Sequence, residues 1–375
     1  MKVLAGVVYE SGLERPYDRS KPVRVEQVDL EPPRRDEVLV KVAGAGVCHS
    51  DLLVVQGVRK LPLPIVLGHE CSGIVEEIGA GVQRLKKGDH VVMSYVPSCG
   101  RCSYCLRGLP ALCDYGRASN KQGSLAEGGT RFSIAGKNLS HHLGVAAFSE
   151  YTVVSEQSVI SVRKDVPLEK LALFGCAILT GIGAVINSAK VRPGSSVAIF
   201  GCGGIGLNVI QGARLVSAGQ IIAVDLVPKK LEIAKSFGAT DTVNPRDEDA
   251  VESIHRLTGG SGVDYAFEAT GNTNVMTQAF LSCKKGGETI VIGITSPQDR
   301  LTIPSSFLVD EQRTLKGSFM GSVIPRRDVP LLIDLYAAGR IKLDELISRN
   351  IKLEEINDGL EALASGEVAR QIVKM

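Results

Sequence analysis

The sequence has almost no net charge, no long apolar segment and no internal repeat. Its 43 basic residues nearly balance its 41 acidic residues, so the formal net charge is only +2. No excess of one sign therefore favours nucleic acid or a membrane surface as a partner. The apolar run at the N-terminus reaches Glu10 without the apolar core and cleavage site of a signal peptide. We therefore expect a cytoplasmic protein without a nucleic-acid or membrane partner.

The sequence is rich in apolar residues, glycine and cysteine. The chain has 375 residues, 44% of them apolar, and is too long to fold around one ordinary hydrophobic core. We therefore predict an α/β protein with two domains. Cytoplasmic thiols stay reduced, so the nine cysteines indicate metal ligands rather than disulfides.

The pattern of apolar runs changes near residue 171. Before it, short runs such as Val38–Val42 and Gly73–Gly79 are separated by glycine and proline turns, which predicts a mainly β first part. After it, strand and helix patterns alternate, which is typical of a doubly wound parallel sheet. The tail is too short for a third domain. The predicted domains are 1–178, 179–317 and 318–375, with the last returning to the first.

Four cysteines are crowded into one short stretch, namely Cys99, Cys102, Cys105 and Cys113. Four thiolates complete a tetrahedral zinc shell and leave no position for substrate, so we predict a structural zinc site that holds a loop. The alternatives are a chance cluster of free thiols and a redox Cys-x-x-Cys pair. Redox pairs usually begin a helix after a strand, whereas this stretch contains Pro97 and Gly100.

The stretch from residue 115 to 150 is rich in glycine, serine and asparagine. We interpret it as a long excursion that walls a cleft or forms a subunit contact. It contains His141 and His142, and paired histidines in a polar loop are more often solvated than metal-bound. We expect them to be solvated.

A glycine-rich turn follows the apolar run Ser196–Phe200. The segment Gly201–Gly206 contains Gly201, Gly203, Gly204, Ile205 and Gly206, an apolar helix pattern follows it, and a second apolar run ends at Asp225. This order of strand, glycine motif, helix, strand and acidic residue is typical of a dinucleotide-binding βαβ unit. Asp225 would bind the ribose hydroxyls and repel a 2′-phosphate, which favours NAD over NADP. The alternative is a tight turn without a ligand.

The tetrapeptide Gly68-His69-Glu70-Cys71 places an imidazole beside a carboxylate. Alone, such a pair is more often a buried or solvated histidine with a solvated glutamate. Cys48 upstream and Cys176 downstream could supply the thiolates of a Cys/His/Cys zinc site.

Together these residues resemble the zinc-containing medium-chain alcohol dehydrogenases along essentially the whole chain. The tetrapeptide resembles the zinc signature of that family, the cysteine quartet its structural zinc loop, and the glycine motif with Asp225 its NAD site. The resemblance implies a GroES-like catalytic domain, a Rossmann coenzyme domain, NAD and two Zn²⁺ per chain. It makes Cys48, His69 and Cys176 the ligands of the catalytic zinc and excludes Cys71.

The resemblance also assigns roles near the metal. Asp51 orients His69, and Glu70 approaches the metal during ligand exchange; either could instead be a surface carboxylate. Ser50 takes the proton of the alcohol; the alternative interpretation is that this serine is only a turn residue. The family often has a second relay histidine where this chain has Leu53. His49 could replace it, although that position more often contacts the cofactor pyrophosphate.

Further cofactor contacts are implied at Thr180, Lys230 and Arg370, with Lys230 on the adenosine ribose and Arg370 on the pyrophosphate. The two cations could equally be solvated charges.

The implied pocket is lined by Tyr95, Phe148 and Ile294, with core packing as the alternative. Arg59 replaces a common apolar pocket residue; it points to water or selects an anionic substrate.

The resulting hypothesis is an NAD-dependent dehydrogenase of primary or aromatic alcohols and the corresponding aldehydes. One alternative is a formaldehyde dehydrogenase acting on a thiol adduct such as that of glutathione. Another is a non-catalytic nucleotide-binding protein with one structural zinc. Retention of the stretch from 115 to 150 resembles the dimeric branch of the family, so we expect a homodimer.

Overall fold

A computed structural model describes residues 1–296 and 298–375. It divides the chain into two compact units, one formed by Met1–Cys176 with Ile324–Met375 and the other by Ala177–Val323. The strands, in chain order, are β1 (Lys2–Val8), β2 (Arg24–Leu30), β3 (Glu37–Val47), β4 (Ile65–Val66), β5 (Glu70–Ile78), β6 (His90–Met93), β7 (Phe132–Ile134), β8 (Lys137–His141), β9 (Tyr151–Ser155), β10 (Val159–Ser161), β11 (Ser196–Phe200), β12 (Gln220–Val224), β13 (Asp241–Val243), β14 (Val263–Glu268), β15 (Cys283–Val291), β16 (Thr314–Gly317), β17 (Ile347–Lys352) and β18 (Arg370–Lys374).

The α-helices are α1 (Tyr17–Ser20), α2 (His49–Val55), α3 (Ser103–Leu106), α4 (Asp114–Gln122), α5 (Ala177–Gly183), α6 (Gly204–Leu215), α7 (Pro228–Phe237), α8 (Ala250–Leu257), α9 (Thr273–Leu281), α10 (Ser306–Asp310), α11 (Pro325–Ala337) and α12 (Ile356–Ala364). Short 3₁₀ segments include His142–Gly144 and Leu168–Gly175, and a π-helical turn, Ala184–Ala189, continues α5.

The first unit is mainly β, as predicted. Strands β1, β2, β7, β8 and β4 close into a barrel, and a second sheet has the order β10, β6, β5, β3, β18 and β17, with β9 also paired to β3. Side chains alternate between the two faces of each strand. The barrel is therefore filled by inward apolar residues, among them Val3, Val28 and Phe132. Strand β3 is the centre of the second sheet and leads directly to Cys48.

The stretch from 115 to 150 contains regular structure that the sequence analysis did not predict. It contains helix α4 and strands β7 and β8, and both strands belong to the closed barrel. The many polar residues of this stretch made its short strands difficult to recognise from the sequence. The inward side chains of those strands, such as Leu139, are completely buried. A strand of only three to five residues has too few alternating positions to be recognised against polar neighbours.

The C-terminal tail belongs to the first unit. Strand β18 pairs antiparallel with β3, placing Ile372 opposite Gly46, and it pairs parallel with β17 on its other side. The chain thereby brings Arg370, at the start of β18, next to the end of β3 and the beginning of β5.

The second unit is built on a parallel sheet with the order β13, β12, β11, β14, β15 and β16. Strands β11 and β12 are buried along nearly their whole length, which explains why their sequences are continuous apolar runs. The chain leaves β11 towards β12 on one side, and β14 lies on its other side. This reversal is the kind of switch point at which doubly wound sheets bind ligands.

Among the described residues, no single helix is long and apolar enough to cross a membrane. The consecutive segments Leu168–Gly175 and Ala177–Ala189 pass that test jointly by length and composition, but most of their residues are buried in the protein.

Candidate functional site

The four cysteines between 99 and 113 converge on one point. Their sulfur atoms all lie within 4.8 Å of one another. The backbone N–H of Cys99 donates to Cys113 Sγ at 3.4 Å, and that of Cys102 donates to Cys99 Sγ at 3.3 Å. Four sulfur donors at one point, two of them already accepting backbone N–H groups, fit a closed tetrahedral zinc site.

A second cluster joins segments that are far apart in sequence. Ligand atoms of Cys48, His69, Glu70 and Cys176 lie within 4.8 Å of one another, and all four residues are buried. Cys48 precedes α2, His69 and Glu70 lie where β5 begins, and Cys176 follows the 3₁₀ segment Leu168–Gly175. Strands β3 and β5 are neighbours in the second sheet, which brings the first two segments together.

Asp51 fixes the orientation of this cluster. One of its oxygens accepts the backbone N–H of Cys48 at 2.9 Å, and the other lies 3.0 Å from His69 Nδ1. Because a carboxylate only accepts hydrogen bonds, His69 carries its proton on Nδ1. His69 Nε2 is buried and has no hydrogen-bond partner in the described chain. Such an atom normally has a partner, and a metal ion held with the two cysteine sulfurs would supply it.

Charges around the cluster favour a thiolate. A hydrogen bond from Cys176 and the positive charge of Arg370 hold the pKa of Cys48 well below its usual range, although burial opposes this. Arg370 Nη1 lies 3.4 Å from Glu70 Oε1, and burial raises the pKa of Glu70 to about 8 despite this contact. Glu70 Oε2 is buried without a partner in the described chain. The second carboxylate oxygen is therefore available within the cluster.

Cys71 lies outside the cluster although it adjoins Glu70. Successive residues of β5 point to opposite faces. The Cys71 thiol is completely buried and lies 3.7 Å from the carbonyl oxygen of Ser72, and burial raises its pKa.

The expectation that His141 and His142 are solvated is wrong, because both are completely buried. His141 Nε2 accepts the backbone N–H of Arg131 at 3.1 Å, and burial together with the Arg131 charge lowers the pKa of His141 to about 3. His142 lies beside the metal cluster, with its ring centroid 5.2 Å from that of His69. The apolar run Leu143–Phe148 that follows is the sequence signal that could have indicated their burial.

The other predicted residues of this unit surround the cluster to different degrees. The Tyr95 ring meets His69 edge-on, with centroids 5.4 Å apart. Burial raises the pKa of Tyr95, and the positive charge of Arg59 opposes this shift. Phe148 is completely buried. Ser50, Leu53 and Arg59 are half-buried, and His49 is exposed.

The glycine motif forms the turn between β11 and α6. Gly201 has a φ of 95°, which favours glycine, and a Cβ at Gly206 would lie 1.7 Å from the Gly201 carbonyl oxygen. A Cβ at Gly203 would meet nothing within 4 Å. The first and last glycines thus allow the turn and the close approach of helix to strand. Gly203 leaves open space beside the N-terminus of α6, where an anionic group is stabilised.

Asp225 is held beside this turn. One carboxylate oxygen accepts the backbone N–H of Cys202 at 2.8 Å, and the other accepts that of Val227 at 2.9 Å. Lys230 is half-buried on α7, Thr180 is buried on α5, and Ile294 is 59% exposed.

Glu268 is a candidate site residue that the sequence did not suggest. It ends β14 opposite Phe200 and is completely buried. Its Oε1 accepts the backbone N–H groups of Thr270 and Gly271 at 2.6 and 2.8 Å, whereas Oε2 has no partner in the described chain. An acidic residue at the end of an apolar strand run is the signal that could have identified it.

Comparison with known proteins decides the family. Residues 34–164 match the alcohol dehydrogenase GroES-like domain, and residues 204–338 match the zinc-binding dehydrogenase model. Over 378 aligned residues, covering 100% of both proteins, the chain is 41% identical to an S-(hydroxymethyl)glutathione dehydrogenase of Escherichia coli O1:K1 / APEC. The chain belongs to the zinc-containing medium-chain alcohol dehydrogenase family.

Solved structures of dehydrogenases resemble the chain over its whole length. The benzyl alcohol dehydrogenase of Acinetobacter calcoaceticus is 34% identical with a TM-score of 0.93, covering 100% of this chain and 99% of that one. A zinc-binding dehydrogenase of Sinorhizobium meliloti 1021, bound to NADP, is 27% identical with a TM-score of 0.82, covering 100% of both. The predicted family and fold class are confirmed. The protein is an oxidoreductase of a family that acts on small-molecule alcohols and aldehydes.

Proposed function

We propose that the protein is an NAD-dependent zinc alcohol dehydrogenase that transfers a hydride between a primary or aromatic alcohol, or the corresponding aldehyde, and the nicotinamide. The observation that carries the proposal is the buried, unpartnered Nε2 of His69, within 4.8 Å of the sulfur atoms of Cys48 and Cys176. Three ligands with a fourth position open to substrate are the arrangement of a catalytic zinc site, and the Cys₂His set is the one that alcohol dehydrogenases are known to use.

Cys48, His69 and Cys176 would hold the catalytic zinc, which supplies a Lewis acid that favours ionisation of the alcohol. Asp51 keeps the His69 proton on Nδ1 and so leaves Nε2 free for the metal. Arg370 engages Glu70 through Oε1, while Oε2 stays unpartnered. This supports Glu70 as a group that approaches the metal when its ligands exchange.

Ser50 is the proposed first acceptor of the alcohol proton. It lies in the first turn of α2, two residues beyond Cys48, and is half-buried. Leu53 cannot continue a proton relay, because its side chain has no titratable group. His49 is exposed and could take that part, or it could contact the cofactor pyrophosphate, which the family favours.

The second unit would bind NAD. The pyrophosphate would lie at the N-terminus of α6, in the space beside Gly203, and Asp225 would accept hydrogen bonds from the ribose hydroxyls. Each Asp225 oxygen accepts one backbone N–H and keeps a further lone pair. Thr180, Lys230 and Arg370 are the other proposed cofactor contacts.

A second candidate function is dehydrogenation of a formaldehyde–glutathione adduct. The 41% identity to the E. coli S-(hydroxymethyl)glutathione dehydrogenase favours it. Against it, the segment Gln56–Pro64 contains no acidic residue to bind such an adduct. The similarity to benzyl alcohol dehydrogenase favours an aromatic alcohol.

Nicotinamide reduction by a panel of substrates tests the proposal. The panel contains aliphatic, aromatic and acid-bearing alcohols, and formaldehyde with and without glutathione. We expect NADH to form with primary or aromatic alcohols in the absence of a thiol. Activity confined to formaldehyde plus glutathione would instead establish the second candidate, and turnover of acid-bearing alcohols would implicate Arg59.

Zinc content separates the enzyme from a non-catalytic nucleotide-binding protein. The two clusters predict close to two ions per chain. One ion, retained by the cysteine quartet, would contradict the catalytic proposal. Sedimentation of the purified protein would test the predicted homodimer in the same preparation.

A further inference from the structure

The carboxylate of Asp51 lies between two buried imidazoles. Its Oδ1 is 3.0 Å from Nδ1 of His69 and 3.1 Å from Nδ1 of His142. The same carboxylate accepts the backbone N–H of Cys48 through Oδ2. All three side chains, Asp51, His69 and His142, are completely buried. Asp51 is therefore in contact with two proposed zinc ligands and with one further histidine.

In the described part of the chain, His142 meets the ring of His69 edge-on and the carboxylate of Asp51 through Nδ1. Its Nδ1 is within hydrogen-bond distance of Asp51, although the alignment is poor, and neither ring nitrogen makes a well-directed hydrogen bond in the described chain. Burial lowers the pKa of His142. A neutral imidazole has one donor nitrogen, and a carboxylate only accepts, so the proton of His142 belongs on Nδ1, facing Asp51.

A metal ion between Asp51, His69 and His142 does not fit this arrangement, although their ligand atoms lie within 4.8 Å of one another. Such an ion would require the lone pair of His69 Nδ1, which is the atom that donates to Asp51. The cluster is better described as one carboxylate shared by two N–H donors.

We propose that His142 is a positioning residue of the catalytic metal site, which acts through Asp51 on His69. Two donors on one carboxylate oxygen restrict its rotation, and this in turn restricts the ring of His69. The inference rests on the proposed zinc site. Groups that orient metal ligands in this way typically change metal affinity by about 10–100-fold when they are removed.

The rate of zinc release measures this role directly. We would transfer zinc from the full-length holoenzyme to a chromogenic chelator and compare the wild type with His142→Phe and His142→Gln. Phenylalanine fills the space without a donor, whereas glutamine retains an N–H. We expect one of the two ions to leave about tenfold faster or more in His142→Phe, near the wild-type rate in His142→Gln, and the quartet ion to be unaffected.

Two controls separate positioning from general destabilisation. His141→Gln alters the neighbouring buried histidine, whose Nε2 accepts the backbone N–H of Arg131, and should leave both rates unchanged. In an Asp51→Asn background, His142→Phe should add no further acceleration. If His142→Phe does not fold, His142→Leu, which needs no extra room and has no donor, repeats the comparison.

Equal release rates in the wild type and His142→Phe would overturn the inference, as would equally fast release in the phenylalanine and glutamine variants. Neither result would affect the proposed function, which is tested separately by the zinc content and the substrate panel of the wild type. A fall in kcat with little change in KM in His142→Phe would be the matching kinetic result.

Discussion

The two proposed metal sites differ in how the chain assembles them. The quartet takes all four ligands from one loop, residues 99 to 113, with Cys99 and Cys105 half-buried. The other cluster takes its ligands from Cys48, from His69 and Glu70, and from Cys176, all of them buried and held by two β-strands and a 3₁₀ segment.

This difference bears on what each site can do. Four thiolates would complete the coordination of a zinc ion at the first site, so that ion would serve only to hold the loop together. The second has two thiols, one imidazole and a carboxylate that is engaged by Arg370 through one oxygen only. A site whose fourth group, the Glu70 carboxylate, is held through one oxygen only can admit a substrate. It must then be held rigid by its surroundings, here by Asp51.

The largest expected effect comes from opening the second site. Cys176→Ala removes one of three zinc ligands, and the several kcal/mol of Lewis-acid stabilisation lost should lower kcat/KM by at least about a thousandfold. NAD binding, measured by calorimetry, should stay intact because the proposed glycine motif and Asp225 lie in the second unit. Zinc should fall to the quartet ion alone. Turnover close to that of the wild type would remove Cys176 from the ligand set.

A change in the second unit should leave both metal sites intact while altering cofactor choice. Asp225→Gly removes a charged acceptor for the ribose hydroxyls, which is worth about 1.5–3 kcal/mol, or roughly 10–100-fold in NAD affinity. It also removes repulsion of a 2′-phosphate. We expect the ratio of NAD to NADP dissociation constants to shift towards NADP, with zinc content unchanged. An unchanged ratio would remove Asp225 from cofactor discrimination.

The quartet and the glycine motif could be predicted because their residues are close together in sequence. The spacing of Cys99, Cys102, Cys105 and Cys113 is sufficient to suggest one metal, and the glycine turn occurs between a strand pattern and a helix pattern. In the structure the four sulfur atoms lie within 4.8 Å of one another, and the glycines form a turn before α6. Their roles as zinc ligands and as an NAD site stay predictions.

The surroundings of the second cluster could not be predicted in the same way. Cys48, His69 and Cys176 were joined by resemblance to a family, since local spacing does not connect them. His142 was missed because burial depends on long-range pairing. Strand β8 lies between β7 and β4 in the barrel, and this places the residue after His141 beside His69. The polar composition around it indicated the opposite.

The effect of opening the quartet should be smaller and of a different kind. Cys102→Ser should release the quartet zinc and lower the melting temperature by several degrees, because each kcal/mol of lost stability lowers it by about 2–4 °C in a domain of this size. The catalytic ion should remain, so kcat per folded molecule should change much less than in Cys176→Ala. Calorimetry with zinc analysis checks both. A variant that loses both ions together would show that the two sites are not independent.

The smallest expected effect is on the pH dependence of stability, and it concerns a residue of the barrel rather than a proposed metal ligand. His141 has its pKa lowered from 6.5 to about 3 by burial and by Arg131, so between these values the unfolded chain binds a proton that the folded protein does not. The stability contributed by neutral His141 is therefore present above pH 6.5 and is lost as pH falls towards 3, by up to about 1.4 kcal/mol per pH unit. His141→Gln keeps an acceptor for the Arg131 N–H but cannot titrate. Urea unfolding at pH 7.5 and 5.5 should show a smaller loss of stability in this variant than in the wild type, by about 1 kcal/mol. Acid also protonates the proposed zinc ligands, equally in both proteins, so only the difference between the two losses reports on His141. Identical losses would show that titration of His141 does not contribute to the pH dependence of stability.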